Sequence, residues 1–162
     1  MDNLSNIFIL QDGKSGAITA ENPRGEKGRG GTAASPLGPS RKGRPCIILK
    51  SGTSETIAEI IGPGIIRHIW ITVPDRTSDE DRYVLRDLIL KIYWDDEEIP
   101  AVIAPLGDFF CCGFAAETIV NALPIVVCPT RGMNCYFPMP FLKKAKIIIE
   151  NQHPADINGF FY

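Results

Sequence analysis

The chain has 162 residues, 44% of them hydrophobic, and a formal net charge of −2 at pH 7. This length predicts one domain with a single core. The nearly balanced charge argues against a protein that attracts nucleic acid or anionic lipid through its overall field. The N-terminal sequence MDNLSNIFIL lacks the basic stretch and the long apolar run of a signal peptide, so we expect a cytoplasmic protein with no membrane partner.

Residues 1–45 are predicted to form an N-terminal strand and then an arm rich in glycine, proline and basic residues. Between Asn22 and Pro45 there is almost no apolar side chain to bury, so this segment is not expected to fold by itself. The arm is either a solvated segment or a loop laid over a partner or a ligand. In the isolated chain we expect Gly28 to Pro39 to be mobile.

Residues 46–162 are predicted to form an all-β domain, a β-sandwich of the jelly-roll or immunoglobulin type with roughly seven to nine short strands. Two stretches alternate apolar and polar residues, which is typical of half-buried strands. The first places Lys91 on the outer face and, on the inner face, Leu88, Leu90, Ile92 and Trp94. The second, residues 144–150, turns inward Ala145, Ile147 and Ile149. The sequence SDEDRYVL could begin a short helix, but residues 82–85 are expected to lead into the next strand.

The four acidic residues from Asp95 to Glu98 lie between two predicted strands, where they most simply form a solvated hairpin turn. A catalytic carboxylate pair is the alternative, although adjacent acids at a hairpin tip diverge into water. The sequence has no phosphate-binding loop, no dinucleotide-binding glycine motif and no G-x-S-x-G motif. The residues by themselves therefore predict no catalytic group.

The five cysteines include no C-x-x-C pair, and without an export signal we expect reduced thiols. Their spacing argues against a zinc site, so we predict no metal and no cofactor. Cys111 and Cys112 are flanked by phenylalanines, and we expect both to be unpaired and buried. Cys135 is interpreted as a structural thiol rather than a nucleophile.

Four segments, in this order, resemble glycoside hydrolase family 172: AENPRGEKGRGG (20–31), IIGPGIIRHIWITV (60–73), LRDLILKIYWDDEEIPAVIAPLGDFF (85–110) and GMNCYFPMPFLKKAKIIIENQ (132–152). The resemblance covers nearly the whole chain from about Ala20 to Tyr162, and its last segment is the most specific. It implies two jelly-roll domains in one chain and homo-oligomers built on a trimer. It also implies action on fructofuranosides or arabinofuranosides.

The same resemblance implies that this chain supplies only the first jelly roll. The family's two catalytic glutamates lie in motifs of the second half, of the Gly-Glu-Gly-Glu and Gly-Thr-Glu-Asp-Tyr types, and this sequence contains neither motif. A retaining glycosidase needs two carboxyl groups about 5–5.5 Å apart. We therefore expect no catalytic residue here and no activity of the chain alone. Arg24 stands where the family usually has a small residue, which leaves the identity of the sugar open.

Eight residues are candidates for contact with substrate or with a neighbouring subunit: Glu21, Asn22, Glu26, Lys27, Asp108, Phe109, Asn134 and Tyr136. In GMNCYFPMPF, Pro138 and Pro140 cannot donate hydrogen bonds, which predicts an edge strand or a bulge. Asn134 and Tyr136 would offer polar groups to sugar hydroxyls or to a neighbouring subunit, unless the stretch is only a structural corner. Asp108 is expected either to cap a turn or to orient a basic group of the arm.

Two other functions compete with this hypothesis. One is a stand-alone carbohydrate-binding or assembly module of the jelly-roll type. The other, a nucleic-acid protein with a basic arm, is disfavoured by the net charge of −2. The sequence ends at NGFFY, which resembles an interrupted apolar strand. We therefore expect the chain to be truncated at its C-terminal end. Without the second jelly roll that the resemblance implies, we expect Phe160 and Phe161 to be exposed and the isolated chain to self-associate.

Overall fold

The computed structural model of the chain describes residues 8–10, 12–30, 43–74, 83–116, 118–128 and 132–162. The prediction of a mobile segment therefore lies largely outside the described residues. The strands within these ranges are β1 (Ile47–Leu49), β2 (Ser54–Ile61), β3 (Gly64–Ile66), β4 (Ile69–Ile71), β5 (Leu88–Trp94), β6 (Val102–Pro105), β7 (Val120–Asn121), β8 (Ile125–Cys128), β9 (Gly132–Cys135), β10 (Met139–Phe141), β11 (Lys144–Asn151) and β12 (Ile157–Phe160). The short helices are α1 (Val84–Asp87) and α2 (Leu106–Phe109).

The first sheet contains four antiparallel strands in the order β2-β11-β5-β6. Leu90 lies opposite Ile149, and Ile92 lies opposite Ile147, so the apolar faces of β5 and β11 coincide. This register buries the predicted residues on one side, and the alternation of both stretches is confirmed. Their exposed fractions are 0% for Leu88, Leu90, Ile92 and Ile149, 1% for Ala145 and 4% for Ile147.

The second sheet contains four antiparallel strands in the order β4-β9-β8-β7. Two two-stranded pairs, β1 with β12 and β3 with β10, complete the strand pairing of the named elements. Both four-stranded sheets contribute side chains to one buried cluster, which includes Leu90, Ile92 and Ile149 from the first and Ile71, Val127 and Met133 from the second. The predicted all-β sandwich is confirmed. Its jelly-roll topology and the boundary at residue 45 stay predictions.

The structure confirms the outer face of Lys91 and corrects the expected burial of Trp94, both on β5. Trp94 is half-buried rather than part of the core, and its ring stacks on Phe141 with centroids 6.4 Å apart. Lys91 is also half-buried, with 26% of its side chain exposed, and it pairs with Glu150 across the sheet. Lys91 is partly covered because β5 has neighbours on both sides, whereas Trp94 is only half-buried because it lies at the end of the strand.

Residues 84–87 form a helical turn instead of leading directly into the next strand. The N–H groups of Arg86 and Asp87 both donate to the Tyr83 carbonyl, each over 2.8 Å, and Val84 and Leu85 are buried. A second turn, α2, follows β6 without a sequence pattern that predicted it. No helix in the described ranges is long and apolar enough to cross a membrane.

The final aromatic residues are not left open to solvent. Phe160 is 0% exposed in β12, and Phe161 and Tyr162 are half-buried. Ile47 of β1 lies opposite Phe160, and the backbones of Thr72 and Phe161 exchange two hydrogen bonds of 3.0 Å. The expectation of exposed phenylalanines was wrong, because strands from distant parts of the sequence cover them.

The segment GMNCYFPMPF contains two strands rather than one edge strand. Residues 132–135 form β9, which pairs on both sides, with β4 and with β8. The prediction of an edge or a bulge was therefore wrong for this part. The prediction of an edge strand holds for β10, which contains Pro140 and pairs with β3 in a two-stranded sheet.

The two adjacent cysteines differ in their environment. Cys112 is 1% exposed, whereas Cys111 is exposed and has a backbone φ of 66°. The expectation that both are buried was wrong for Cys111. The tight turn after α2, in which Cys111 donates to the Asp108 carbonyl over 3.0 Å, lets only one of two neighbouring side chains enter the core.

Candidate functional site

Strands β4 and β9 build an outward-facing surface in the second sheet. Ile69 pairs with Cys135 and Ile71 with Met133, and these four side chains are buried. Side chains along a strand alternate between the two faces of a sheet. The residues between them, Trp70 and Asn134, are directly opposite each other and lie on the other face.

Asn134 is held in place through its amide group. Its Nδ2 donates to the backbone carbonyls of Val126, over 3.2 Å, and Gly132, over 3.3 Å. Its Oδ1 lies 3.0 Å from Nε2 of His68. Asn134 therefore connects β8 and β9 to the residue that precedes β4.

His68 also contacts an aromatic ring. Its imidazole stacks on Tyr136, with centroids 4.6 Å apart and an angle of 5° between the ring planes. The Tyr136 backbone is fixed in turn, because its N–H donates to the Pro124 carbonyl over 2.8 Å. We call His68, Trp70, Asn134 and Tyr136 the aromatic surface.

The aromatic surface is open to solvent and chemically mixed. Trp70 is 38% exposed, Tyr136 is 46% exposed, and His68 is exposed as well. Tyrosine and tryptophan combine an apolar ring with one polar group, which suits ligands that have both kinds of surface. The flat C–H faces of sugar rings pack on such rings, while their hydroxyl groups need donors and acceptors beside them.

Two of these four residues were predicted from the sequence, and two were missed. Asn134 and Tyr136 were candidates, whereas His68 and Trp70 were not. A signal for them existed in the alternation of HIWI, which places His68 and Trp70 on one face and Ile69 and Ile71 on the other. The pairing partner of that strand, however, lies over sixty residues away and has no local signal.

Two of the four candidates near the N-terminus, Asn22 and Glu26, contact each other in a separate turn. The side-chain amide of Asn22 donates to the Glu26 carbonyl over 3.0 Å, and its oxygen accepts from the Glu26 N–H over 3.1 Å. The Glu26 carboxylate pairs with Nε of Arg24 at 2.9 Å and with Nε of Arg29 at 3.5 Å. Arg24, which we expected to depart from the family pattern, thus has an acidic partner inside the same turn.

The other two N-terminal candidates occupy different environments. Glu21 is half-buried, and its Oε1 accepts from the N–H of Gly43 over 3.2 Å. Lys27 is exposed. The Glu21 contact joins this turn to residue 43, close to where the first strand of the sandwich begins.

Asp108 and Phe109 lie in α2, where their described contacts are structural. Asp108 pairs with Arg86 of α1, a partner that neither of our two expectations for this carboxylate had named. Phe109 is half-buried and meets Phe110 edge to face, with centroids 5.0 Å apart. The pair Arg86 and Asp108 ties the two helical turns together.

The acidic hairpin uses its first carboxylate to hold the backbone. Asp95 accepts the N–H groups of Leu142, Lys143 and Lys144 over 2.9, 2.6 and 3.1 Å. These bonds, led by the one from Lys143, lower the pKa of Asp95 below its usual 3.8. Asp95 therefore fixes the turn between β10 and β11, while residues 96–98 are exposed.

The two thiols nearest the aromatic surface differ in exposure: Cys128 is exposed beside Trp70, since a β-carbon on Gly132 would lie 3.8 Å from both the Cys128 Cβ and Nε1 of Trp70. Cys135 points into the core with 0% exposure, and burial raises the pKa of its thiol. Within the described ranges, no three His, Cys, Asp or Glu side chains come close enough to hold a metal ion. The aromatic surface thus combines exposed rings with hydrogen-bonding groups, which suits a binding site.

Comparison with known families adds an independent observation. A family model described as GH172 domain-like matches residues 43–160, which include both four-stranded sheets and the whole aromatic surface. None of the curated proteins compared with the chain matches it significantly.

Proposed function

Because the chain belongs to glycoside hydrolase family 172, we propose that it is the N-terminal, carbohydrate-contacting part of a furanoside-acting glycosidase. Its ligand would be a furanose-containing carbohydrate of the fructofuranoside or arabinofuranoside type. In this proposal the aromatic surface touches the sugar. The hydrolytic carboxylates come from a second segment of protein that carries the glutamate motifs of the family.

One observation carries the proposal: the parallel stack of His68 on Tyr136, hydrogen-bonded through Asn134 and lying beside exposed Trp70. The His68 ring, held by its hydrogen bond to Asn134 and its stack on Tyr136, is already ordered before a ligand arrives. A ligand then loses less side-chain freedom on binding, and affinity benefits.

Binding is tested by titrating the chain with methyl α-arabinofuranoside, with a fructofuranosyl disaccharide and with the matched methyl pyranosides. We expect furanosides to bind more tightly than pyranosides. Trp70→Ala and Tyr136→Ala should each weaken furanoside binding about tenfold, which corresponds to roughly 1.4 kcal/mol. Phe114→Ala removes an aromatic side chain that is 96% exposed outside the aromatic surface, so it serves as the control and should bind as the parent does.

Hydrolysis is tested with an aryl α-arabinofuranoside. The chain alone should release no aryl alcohol, because a retaining mechanism needs two carboxyl groups about 5–5.5 Å apart and the expected glutamate motifs are not in the sequence. Turnover that persists through repeated purification would contradict this part of the proposal. Furanoside binding without turnover would agree with both parts.

A second candidate function is an assembly module, and a specific feature favours it. Leu123 is 75% exposed and Phe137 is 50% exposed, and both flank the hydrogen bond between Tyr136 and Pro124. Exposed apolar side chains next to a structured site are typical of subunit contacts. A trimer in light scattering that Phe137→Ser converts to monomer, without furanoside binding by either form, would favour assembly over sugar contact.

A further inference from the structure

The amide of Asn134 can take only one orientation in its surroundings. One end of the amide lies within 3.2–3.3 Å of the carbonyl oxygens of Val126 and Gly132. Carbonyl oxygens accept hydrogen bonds and cannot donate them, so this end must be the NH₂ group. The oxygen of Asn134 therefore faces His68.

This orientation determines where His68 carries its proton. An amide oxygen only accepts, and it lies 3.0 Å from Nε2 of His68, so the hydrogen bond forms when Nε2 bears the proton. In the neutral imidazole, Nδ1 then has no proton and becomes the acceptor. The stack on Tyr136, at an interplanar angle of 5°, fixes the plane in which that acceptor lies.

We propose that Asn134 is a positioning residue that holds neutral His68 as the Nε2–H tautomer, and that Nδ1 of His68 accepts a hydrogen bond from a ligand hydroxyl. This inference rests on the proposed function, because it names what the aromatic surface recognises. It assigns a binding role to His68. Its ligand must donate a proton at this point, as a sugar hydroxyl does.

The neighbouring indole supplies the complementary group. A β-carbon on Gly132 would lie 3.8 Å from Nε1 of Trp70, so the indole N–H lies near the start of β9, on the same side of the sheet as Asn134. Indole N–H groups only donate. The aromatic surface thus offers a nitrogen acceptor on His68 and an N–H donor on Trp70, beside the hydroxyl group of Tyr136, which can donate and accept. A neutral polyhydroxylated ligand, whose hydroxyls donate and accept, matches these groups better than a carboxylate or a phosphate, which cannot donate when ionised.

The first experiment determines the tautomer without any ligand. Two-dimensional ¹H–¹⁵N spectra of the histidine rings, recorded where His68 is neutral, should show Nε2 with its proton and Nδ1 without one, with no mixture. His153 is an internal reference, because its Nδ1 accepts the Ala155 N–H over 3.1 Å. A tautomer mixture at His68, or a proton on Nδ1, would overturn the inference even if furanosides bind.

The second experiment determines the role of Nδ1 in binding. Methyl α-arabinofuranoside is compared with its mono-O-methyl ethers, which accept hydrogen bonds at the altered oxygen but no longer donate. One ether should bind about two- to tenfold more weakly than the parent sugar, the effect of one net hydrogen bond. His68→Phe keeps a ring to stack on Tyr136 but removes both nitrogens, so this difference between ether and parent should disappear.

A variant of the positioning residue completes the test. Asn134→Asp keeps an acceptor for Nε2 but cannot donate to the two carbonyls, and its negative charge favours the imidazolium, in which Nδ1 also carries a proton. The variant should therefore lose the preference for hydroxyl over ether, and a preference retained in it would overturn the role of Asn134. If the tautomer is as stated but no furanoside binds, the proposed function fails and the ligand role of His68 fails with it.

Discussion

Gly107 of α2 lies directly against Leu85 of α1. A β-carbon on Gly107 would be 2.9 Å from the Leu85 Cβ, 3.1 Å from the Leu85 carbonyl oxygen and 2.9 Å from the Cys112 carbonyl oxygen. The contact brings Arg86 close enough to pair with Asp108. The ion pair between the two turns therefore depends on residue 107 being a glycine, which has no β-carbon.

Gly107→Ala should destabilise the domain by about 1–3 kcal/mol, because the added methyl group meets backbone atoms that cannot rotate away. Chemical denaturation measures this loss as a lower free energy of unfolding. Gly113→Ala is the matched control, since its new β-carbon would meet its nearest atom, Oδ1 of Asp108, at 3.9 Å. Equal stability of the two variants would show that α1 and α2 are not packed as closely as described.

The core face of β5 gives a second stability prediction. Leu90 is 0% exposed, whereas Ile103, on the neighbouring strand β6, is 61% exposed. Leu90→Ala should lower the free energy of unfolding by about 2–5 kcal/mol, the range for a buried leucine that leaves a cavity. Ile103→Ala should stay within about 0.5 kcal/mol of the parent. Similar losses in both variants would mean that β6 is covered on its outer side.

The turn held by Asp95 predicts a dependence on acid. Folding lowers the pKa of Asp95 below 3.8, so the unfolded chain binds this proton more tightly than the folded one. The stabilisation is therefore complete above about pH 4 and is lost as the pH falls through the folded pKa. Asp95→Asn should flatten the fall in unfolding free energy with acid, with Asp96→Asn as the control for the neighbouring position. Parallel pH profiles for parent and Asp95→Asn would exclude this role.

Four of the five thiols should divide into two groups in the folded protein, with half-buried Cys46 between them. Cys111 and Cys128 are exposed, whereas Cys112 and Cys135 are 1% and 0% exposed. A bulky maleimide should label the first pair quickly and the second pair only on unfolding, because the thiolate must be accessible to react. Peptide mapping by mass spectrometry reads out each site. Rapid labelling of Cys135 would contradict its place in the core between Ile69 and Ile125.

Local patterns predicted the strands whose two faces differ. The alternation in β5 and β11 was sufficient to identify Leu90, Ile92 and Ile149 as inward residues. It was not sufficient for Trp94, since the burial of a residue at a strand end depends on what packs beyond the strand. A four-residue turn such as α2 is shorter than the period from which helices are recognised.

The candidate site was less predictable than the strands, for a physical reason. Asn134 and Tyr136 could be predicted because they are the residues with polar side-chain groups in GMNCYFPMPF, the segment with the most specific family resemblance. His68 reaches Asn134 only because β4 pairs with β9. No residue near His68 in the sequence indicates that pairing. Register between distant strands is set by the burial of whole faces, so it becomes visible only once the sheet is assembled.

The pairing of β1 with β12 has a mechanical consequence. These strands run antiparallel with Ile47 opposite Phe160, so a pull on residue 47 and on the C-terminal end acts at the same end of the ribbon. Such a load opens hydrogen bonds one after another instead of shearing them together. Phe161 lies between β12 and the pulled C-terminal end, so its two hydrogen bonds with Thr72 bear the load before those of β12. Under tension the sandwich should therefore yield at low force, beginning with the release of Phe160 from the core.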